Sequence, residues 1–246
     1  MTVTVGCCGF AMAQAAYFRR FSLIEIQQTF YEPPQRKTAE RWRAQAPPDF
    51  IFTLKAWQLI THEVTSPTYR RLKTPLPRKS AARVGDFRPT AEVMQAWERT
   101  REIAMILRAP VVVFQSPQSF RPTAEHIRNL RRFFRAIERG KVRCGWEPRG
   151  EWPDSIVKSL CRQLDLLHVV DPFQRMPVTA GLRYFRLHGV RGFSSRYTDQ
   201  DLARLVSLSS PEETTYCLFN NVTMAGDAAR FLAFAAAGVS GREKKA

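Results

Sequence analysis

Long apolar runs are missing from this 246-residue chain. No stretch reaches the roughly 18 consecutive apolar residues that a membrane-crossing helix needs, which argues against a spanning helix. The apolar start of the chain has no basic segment ahead of it, so it reads as a first strand, not a secretory leader, and the cytoplasm is the expected location. Cysteines number five, at 7, 8, 144, 161 and 217. An odd count without paired spacing argues against a disulfide framework. The glycine fingerprint of dinucleotide binding is absent, because Gly6-Cys7-Cys8-Gly9 does not fit G-x-G-x-x-G. Acids are scarce as well: 22 Asp and Glu stand against 38 Lys and Arg, a formal net charge of +16. Lysine supplies only eight of those bases and arginine 30.

That excess of planar guanidinium forks favours bidentate contact with phosphate or carboxylate. It points to an anionic partner, with nucleic acid among the classes it fits. A solvated arginine-rich surface is the plain alternative.

Short apolar β-like runs recur at 3–8, 22–28, 50–56, 111–115, 142–147, 166–170, 182–187 and 215–219. Helical patterns separate most of them. Thr90-Ala91-Glu92 and Thr123-Ala124-Glu125 each follow Arg-Pro and read as helix starts, as does Thr38-Ala39-Glu40. The threonine caps free N–H groups and the glutamate meets the positive end of the helix dipole. Helices are expected near 11–20, 90–107, 123–139 (ended by Gly140), 155–163 and 225–236. Thr198 to Asp201 resembles a capping box for one more. The connector 171–181 leaves little room for a sixth helix. Eight strands alternating with about seven helices is the count of a TIM-type (β/α)8 barrel, with a long basic loop after strand three and a reduced or missing helix six. A doubly wound open sheet is the rival. One barrel domain over 1–236 is expected, followed by a disordered basic tail at 237–246.

Most strands end in a residue able to do chemistry, and a parallel barrel gathers those ends on one face. Glu25 sits in Ile24-Glu25-Ile26, where a carboxylate needs a cation or donors such as the neighbouring-strand Lys55. Lys55 ends strand three, and His62 follows it. Gln115 caps strand four, where an amide orients a substrate. Glu147 and Arg149 are two apart, so they share a strand face. An acid beside a fixed cation stays ionised, which suits a ligand or base. Tyr184, Arg186 and His188 alternate with Phe185 and Leu187, which puts three polar side chains on one face. Asn220 and Asn221 follow strand eight. One of Cys7 and Cys8 faces the same end. The segment 58–88 carries Arg70, Arg71, Lys73, Arg78, Lys79, Arg83 and Arg88 against only Asp86 past Ser66, a basic lid that would draw in polyanions.

These pieces together resemble the DUF72 (YecE-like) family of uncharacterised TIM-barrel proteins. The resemblance rests on Ile24 to Tyr31, Phe52 to Lys55 with Ile60-Thr61-His62, and Phe114-Gln115-Ser116-Pro117. It continues through Glu147 with Arg149, Tyr184 to Gly189, and Phe219-Asn220-Asn221. It covers about residues 1–235. The family's usual Gly-Thr-Ser-Gly-Trp opening is Gly6-Cys7-Cys8-Gly9-Phe10 here, and its Glu-x-Arg-His is Glu147-Pro148-Arg149-Gly150. The resemblance implies the barrel and leaves the reaction to the site.

The expected function is that of a hydrolase or lyase on a phosphate-bearing or polyanionic substrate. Glu25, His62, Glu147 and His188 are its candidate acid/base groups. Lys55, Gln115, Arg149, Tyr184, Arg186, Asn220 and Asn221 are its candidate binding groups. Two carboxylates and two imidazoles also offer donors that suit a divalent metal, although their cationic neighbours oppose one. A non-catalytic nucleic-acid-binding protein is the rival, and sugar or sugar-acid chemistry is a third reading.

Overall fold

The computed structural model describes residues 3–209 and 212–243, the last seven as backbone only. Eight strands close a barrel in chain order: β1 (Val3–Cys8), β2 (Leu23–Ile26), β3 (Ile51–Lys55), β4 (Val111–Ser116), β5 (Arg143–Pro148), β6 (Leu166–Val170), β7 (Arg183–Leu187) and β8 (Thr215–Phe219). Every described pairing is parallel. Strands buried on both faces read as near-continuous apolar runs, and all four residues of β2 and all five of β6 and β8 are buried, Glu25 and His168 among them.

The helices are α1 (Gln14–Arg20), α2 (Gln28–Tyr31), α3 (Arg36–Gln45), α4 (Gln58–Thr61), α5 (Arg78–Ala81), α6 (Ala91–Leu107), α7 (Ala124–Ala136), α8 (Asp154–Leu164), α9 (Asp199–Leu208) and α10 (Met224–Glu243). No helix lies between β6 and β7 among the described residues. No helix of the described residues is long and apolar enough to cross a membrane.

The threonine caps form as their chemistry demands. Thr123 Oγ1 accepts from the His126 amide at 3.1 Å, and Thr90 Oγ1 accepts a longer bond, 3.4 Å, from Val93. Thr198 and Asp201 make a reciprocal capping box, each backbone amide bonded to the other side chain.

Several helix limits differ from the sequence expectation, with α1 beginning at Gln14 where residue 11 was expected. The start of α3 is Arg36, not Thr38, because the Gln35 carbonyl already accepts the Thr38 amide at 2.9 Å just past Pro33-Pro34. The end of α7 comes at Ala136, before Gly140, where the backbone turns extended and buries Ile137. And α10 runs on to Glu243, so 237–243 are helical where a tail was expected. Residues 244–246 of that tail lie outside the described residues.

The chain divides into two compact units. The first comprises Met1–Glu25, Ala46–Ile51 and His168–Ala246. In it β1 pairs with β2 and β8, and β7 with β6 and β8. Gly6 lets β1 pass close to β2, since a Cβ there would stand 1.9 Å from the Leu23 carbonyl oxygen. Tyr17 locks the same corner: its hydroxyl accepts from the Cys7 amide at 2.7 Å and donates to Leu23 O at 2.8 Å.

The second unit comprises Ile26–Gln45 and Phe52–Leu167. There β4 lies between β3 and β5. Phe87, Trp97, Phe114, Phe133 and Phe134 pack edge to face or tilted around α6 and α7. Each such buried ring contributes about 1.5–3 kcal/mol by leaving water.

Candidate functional site

In the first unit, β2 and β7 bring a carboxylate and a guanidinium together in the interior. Glu25 and Arg186 are 0% and 1% exposed. Arg186 Nε donates to Glu25 Oε2 at 3.1 Å and its Nη2 lies 3.0 Å from Oε1, a bidentate pair. Tyr184 adds its hydroxyl at 2.8 Å. Two donor residues on alternate positions of β7 therefore serve one acid, as the alternation of that strand predicts. Glu25 takes its cation from a residue 161 positions away.

His188 follows directly after β7 and is half-buried. Its Nδ1 lies 3.1 Å from Asn220 Nδ2, so the amide donates and the imidazole accepts there. The His188 amide donates to Asp171 Oδ2 at 3.1 Å, and Asp171 Oδ1 accepts from Phe173. Gly189 donates to the Tyr197 hydroxyl at 2.7 Å. These bonds fix the loop that carries His188. Sequence reasoning missed Asp171; the signal was its place directly after the apolar end of β6.

Asn221 is spent differently from Asn220. Its Nδ2 donates to Ser195 O, Thr223 Oγ1 and Asp227 Oδ2, tying the loop after β8 to the first turn of α10. Cys7 and Cys8 are both buried. Burial pushes the Cys7 thiol up to about 12. It pushes Cys8 well above the ordinary thiol value, with Glu25 adding to the effect. A nucleophilic thiolate is therefore disfavoured at either position.

In the second unit, Lys55 ends β3 with its Nζ 3.5 Å from the centroid of the Phe30 ring, a cation–π contact. His62 stands edge-on to the same ring at 4.9 Å. Its Nδ1 meets Thr61 Oγ1 at 2.7 Å. Burial, with Lys55 adding to it, drives His62 down to about 3, so its imidazole is neutral near pH 7. Gln115 and Glu147 are in register on β4 and β5. Arg149 Nη2 lies 3.0 Å from Glu147 Oε1, the same-face pair that the two-residue spacing predicts.

The basic segment after β3 is anchored at both ends. Glu32 accepts from the amides of Lys73 and Thr74 and from the Thr74 hydroxyl, and Arg71 stacks 3.6 Å over Tyr31. At the other end Gly85, Asp86 and Phe87 all take positive φ. Gly85 and Phe87 donate to the Leu59 and Ile60 carbonyls at 2.8 Å. Burial, with Glu63 adding to it, pushes the Asp86 carboxyl up to about 6, against the pull of Arg88. The sequence showed Asp86 as the one acid of the segment past Ser66, but neither the strained turn nor a site role for Asp86 was picked out from it.

In each unit, then, the polar side chains stand at the C-terminal ends of parallel strands, where TIM barrels carry their chemistry. Residues 12–245 match the family described as "Protein of unknown function DUF72", and the chain belongs to that family. A DUF72 family protein from Enterococcus faecalis is similar in structure, with a TM-score of 0.72 and 17% identity over 97% of this chain and 98% of that one. A D-psicose 3-epimerase aligns with a TM-score of 0.57 and 11% identity, over 91% and 93% of the two chains. Endonuclease IV from Thermus thermophilus aligns at 0.52 and 10%, over 95% and 98%. These likenesses establish the fold. No curated protein matches the chain.

Proposed function

We propose that this DUF72 barrel is an enzyme, a hydrolase or lyase, acting on a phosphate-bearing or polyanionic substrate. The observation that carries the reading is the buried Glu25–Arg186–Tyr184 group, with His188 half-buried directly after the same strand. Burying two charges is expensive, and in this reading the pair is retained because it positions the groups around it. In this reading Glu25 and Tyr184 hold Arg186 in place, and His188 moves the proton with Asn220 setting its tautomer.

In the second unit Glu147 is the acid/base group, and Lys55 and Arg149 hold the anion. Gln115 orients it. His62, kept neutral by burial, hydrogen-bonds and does not donate a proton from a charged ring. Asn221 holds the loop after β8. Among the described residues no three His, Cys, Asp or Glu side chains are gathered as a metal site requires, and no step here is routed through a metal.

The epimerase and endonuclease likenesses name two substrate classes to assay, sugars and nucleic acids. The +16 charge favours the more highly charged of the two. The test is turnover of aryl phosphate mono- and diesters, sugar phosphates, and single- and double-stranded oligonucleotides, with and without added divalent metals. Turnover that disappears in His188→Ala and Glu147→Gln, with unchanged circular dichroism, is the expected result. No turnover of any of them removes the enzyme reading.

A second reading has its own observation. The basic segment after β3 carries Arg70, Arg71, Lys73, Arg78 and Lys79 and is anchored by Glu32 and Tyr31. As a non-catalytic nucleic-acid-binding protein, the chain would bind with steep salt dependence and be indifferent to Glu147→Gln.

A further inference from the structure

Helix α7 carries an arginine at 128, 131, 132 and 135, the i, i+3, i+4, i+7 pattern of one helix face. Its other face is spent on the core: Asn129, Leu130, Phe133 and Phe134 are buried. Arg128, Arg132 and Arg135 are exposed, and among the described residues none has an acid partner or a hydrogen bond. Arg131 is half-buried, with its Nε buried and unbonded.

Several arginines elsewhere on the surface are paired. Arg99 and Arg101 of α6 meet Glu102, Glu98 and Glu138; Arg36 of α3 meets Glu40 and Glu102; Arg83 meets Glu92; Arg230 meets Asp199 and Asp227. On α7 the only acid is Glu125, in the first turn.

Like charges three and four apart weaken a helix. The helix dipole favours a cation in the last turn, which accounts for Arg135 but not for Arg128 at mid-helix. Helix α8 packs beside α7 and presents Lys158 and Arg162, exposed and four apart, also without an acid partner. An unneutralised cationic row on two neighbouring helices is what a polyanion would neutralise.

We propose that the outward face of α7, flanked by α8, is a docking surface for the phosphate backbone of a nucleic-acid duplex. The chemistry of the face selects that occupant. None of the exposed large apolar side chains lies on α7 or α8, so the face has nothing to insert into a lipid headgroup layer. It has no exposed aromatic ring on which unpaired bases could stack. What remains is a row of guanidinium forks, which contact phosphates without reading sequence. The surface lies outside the residues proposed for chemistry, so it stands whether or not the strand ends are catalytic.

The test is anisotropy of a fluorescein-labelled DNA duplex of about 20 base pairs and arbitrary sequence, titrated with the full chain across a salt series. The wild type binds, with affinity falling steeply as salt rises. The triple variant Arg128→Gln/Arg132→Gln/Arg135→Gln is expected to lower the slope of log K against log salt by about 3, and to weaken binding on the order of 10²-fold at about 0.1 M salt. Circular dichroism should not change, because the three side chains are exposed. The single reversal Arg132→Glu should weaken binding in the same direction.

Turnover of a small phosphoester, if present, should be unaffected by either variant, which separates this inference from the catalytic one. An unchanged salt slope in the triple variant overturns the proposal. So does binding that is abolished only by Lys73→Gln/Arg78→Gln/Lys79→Gln in the basic segment. So does binding of phosphatidylserine vesicles or an acidic peptide in place of the duplex.

Discussion

Arg186 grips Glu25 through two nitrogens, at 3.1 and 3.0 Å, with both side chains almost wholly out of water. The two residues sit on strands far apart in sequence. The arrangement has a stability signature: removing one member leaves a buried charge without its partner, whereas removing both does not. Arg186→Met is expected to cost about 3–5 kcal/mol in urea unfolding, and Glu25→Met/Arg186→Met clearly less than that. Equal losses in the single and double variants would mean the pair is not coupled.

Stability should depend on pH through two opposed groups. His62 titrates at about 3 in the folded chain against an ordinary 6.5, so the unfolded chain binds the extra proton between those values. Its contribution is full above about 6.5 and is lost as pH falls toward 3. Asp86 is the reverse: about 6 folded against 3.8, so its contribution is full below about 3.8 and is lost as pH rises through 6. Asp86→Asn mimics the protonated acid and tolerates the left-handed backbone. It should be more stable than the wild type at pH 7.5, with the difference closing near pH 4. His62→Gln should flatten the acid limb of the same profile. Denaturant melts across pH 4 to 8 read both.

Gly85 is expected to resist substitution. At φ +83° its missing Cβ would fall 2.5 Å from the backbone carbon and oxygen of His62. Gly85→Ala should lose about 2 kcal/mol or more. Because this turn anchors the basic segment, faster proteolysis within 66–84 should accompany the loss. A melting temperature equal to the wild type would show that the turn relaxes freely.

Arg149 is half-buried on Glu147, and Glu147 is buried. If the pair holds an anion, Arg149→Gln should raise KM for the charged substrate about tenfold or more and lower kcat less. A fall in kcat alone would place Arg149 in the chemical step instead.

Local chemistry made much of the molecule readable. Thr123 and Thr198 cap because a hydroxyl next to free amides bonds them whatever the rest of the chain does. Tyr184 and Arg186 share a face because strand side chains alternate, and Glu147 meets Arg149 for the same reason. The limits of α3, α7 and α10 were harder, because Gln35, Ile137 and the last helical turns answer to neighbouring backbone and burial more than to the nearest cap or glycine.

The period of apolar residues and the order of strands pointed to an eight-stranded parallel barrel over an open doubly wound sheet, and to the residues at its strand ends. Such signals are carried by neighbours in the chain. Tertiary structure alone decided that Glu25 meets Arg186, that burial holds His62 neutral, and that Asp86 is forced into a buried left-handed turn against Leu59 and Ile60. Those outcomes depend on charge, desolvation and close approach between residues that no local pattern links.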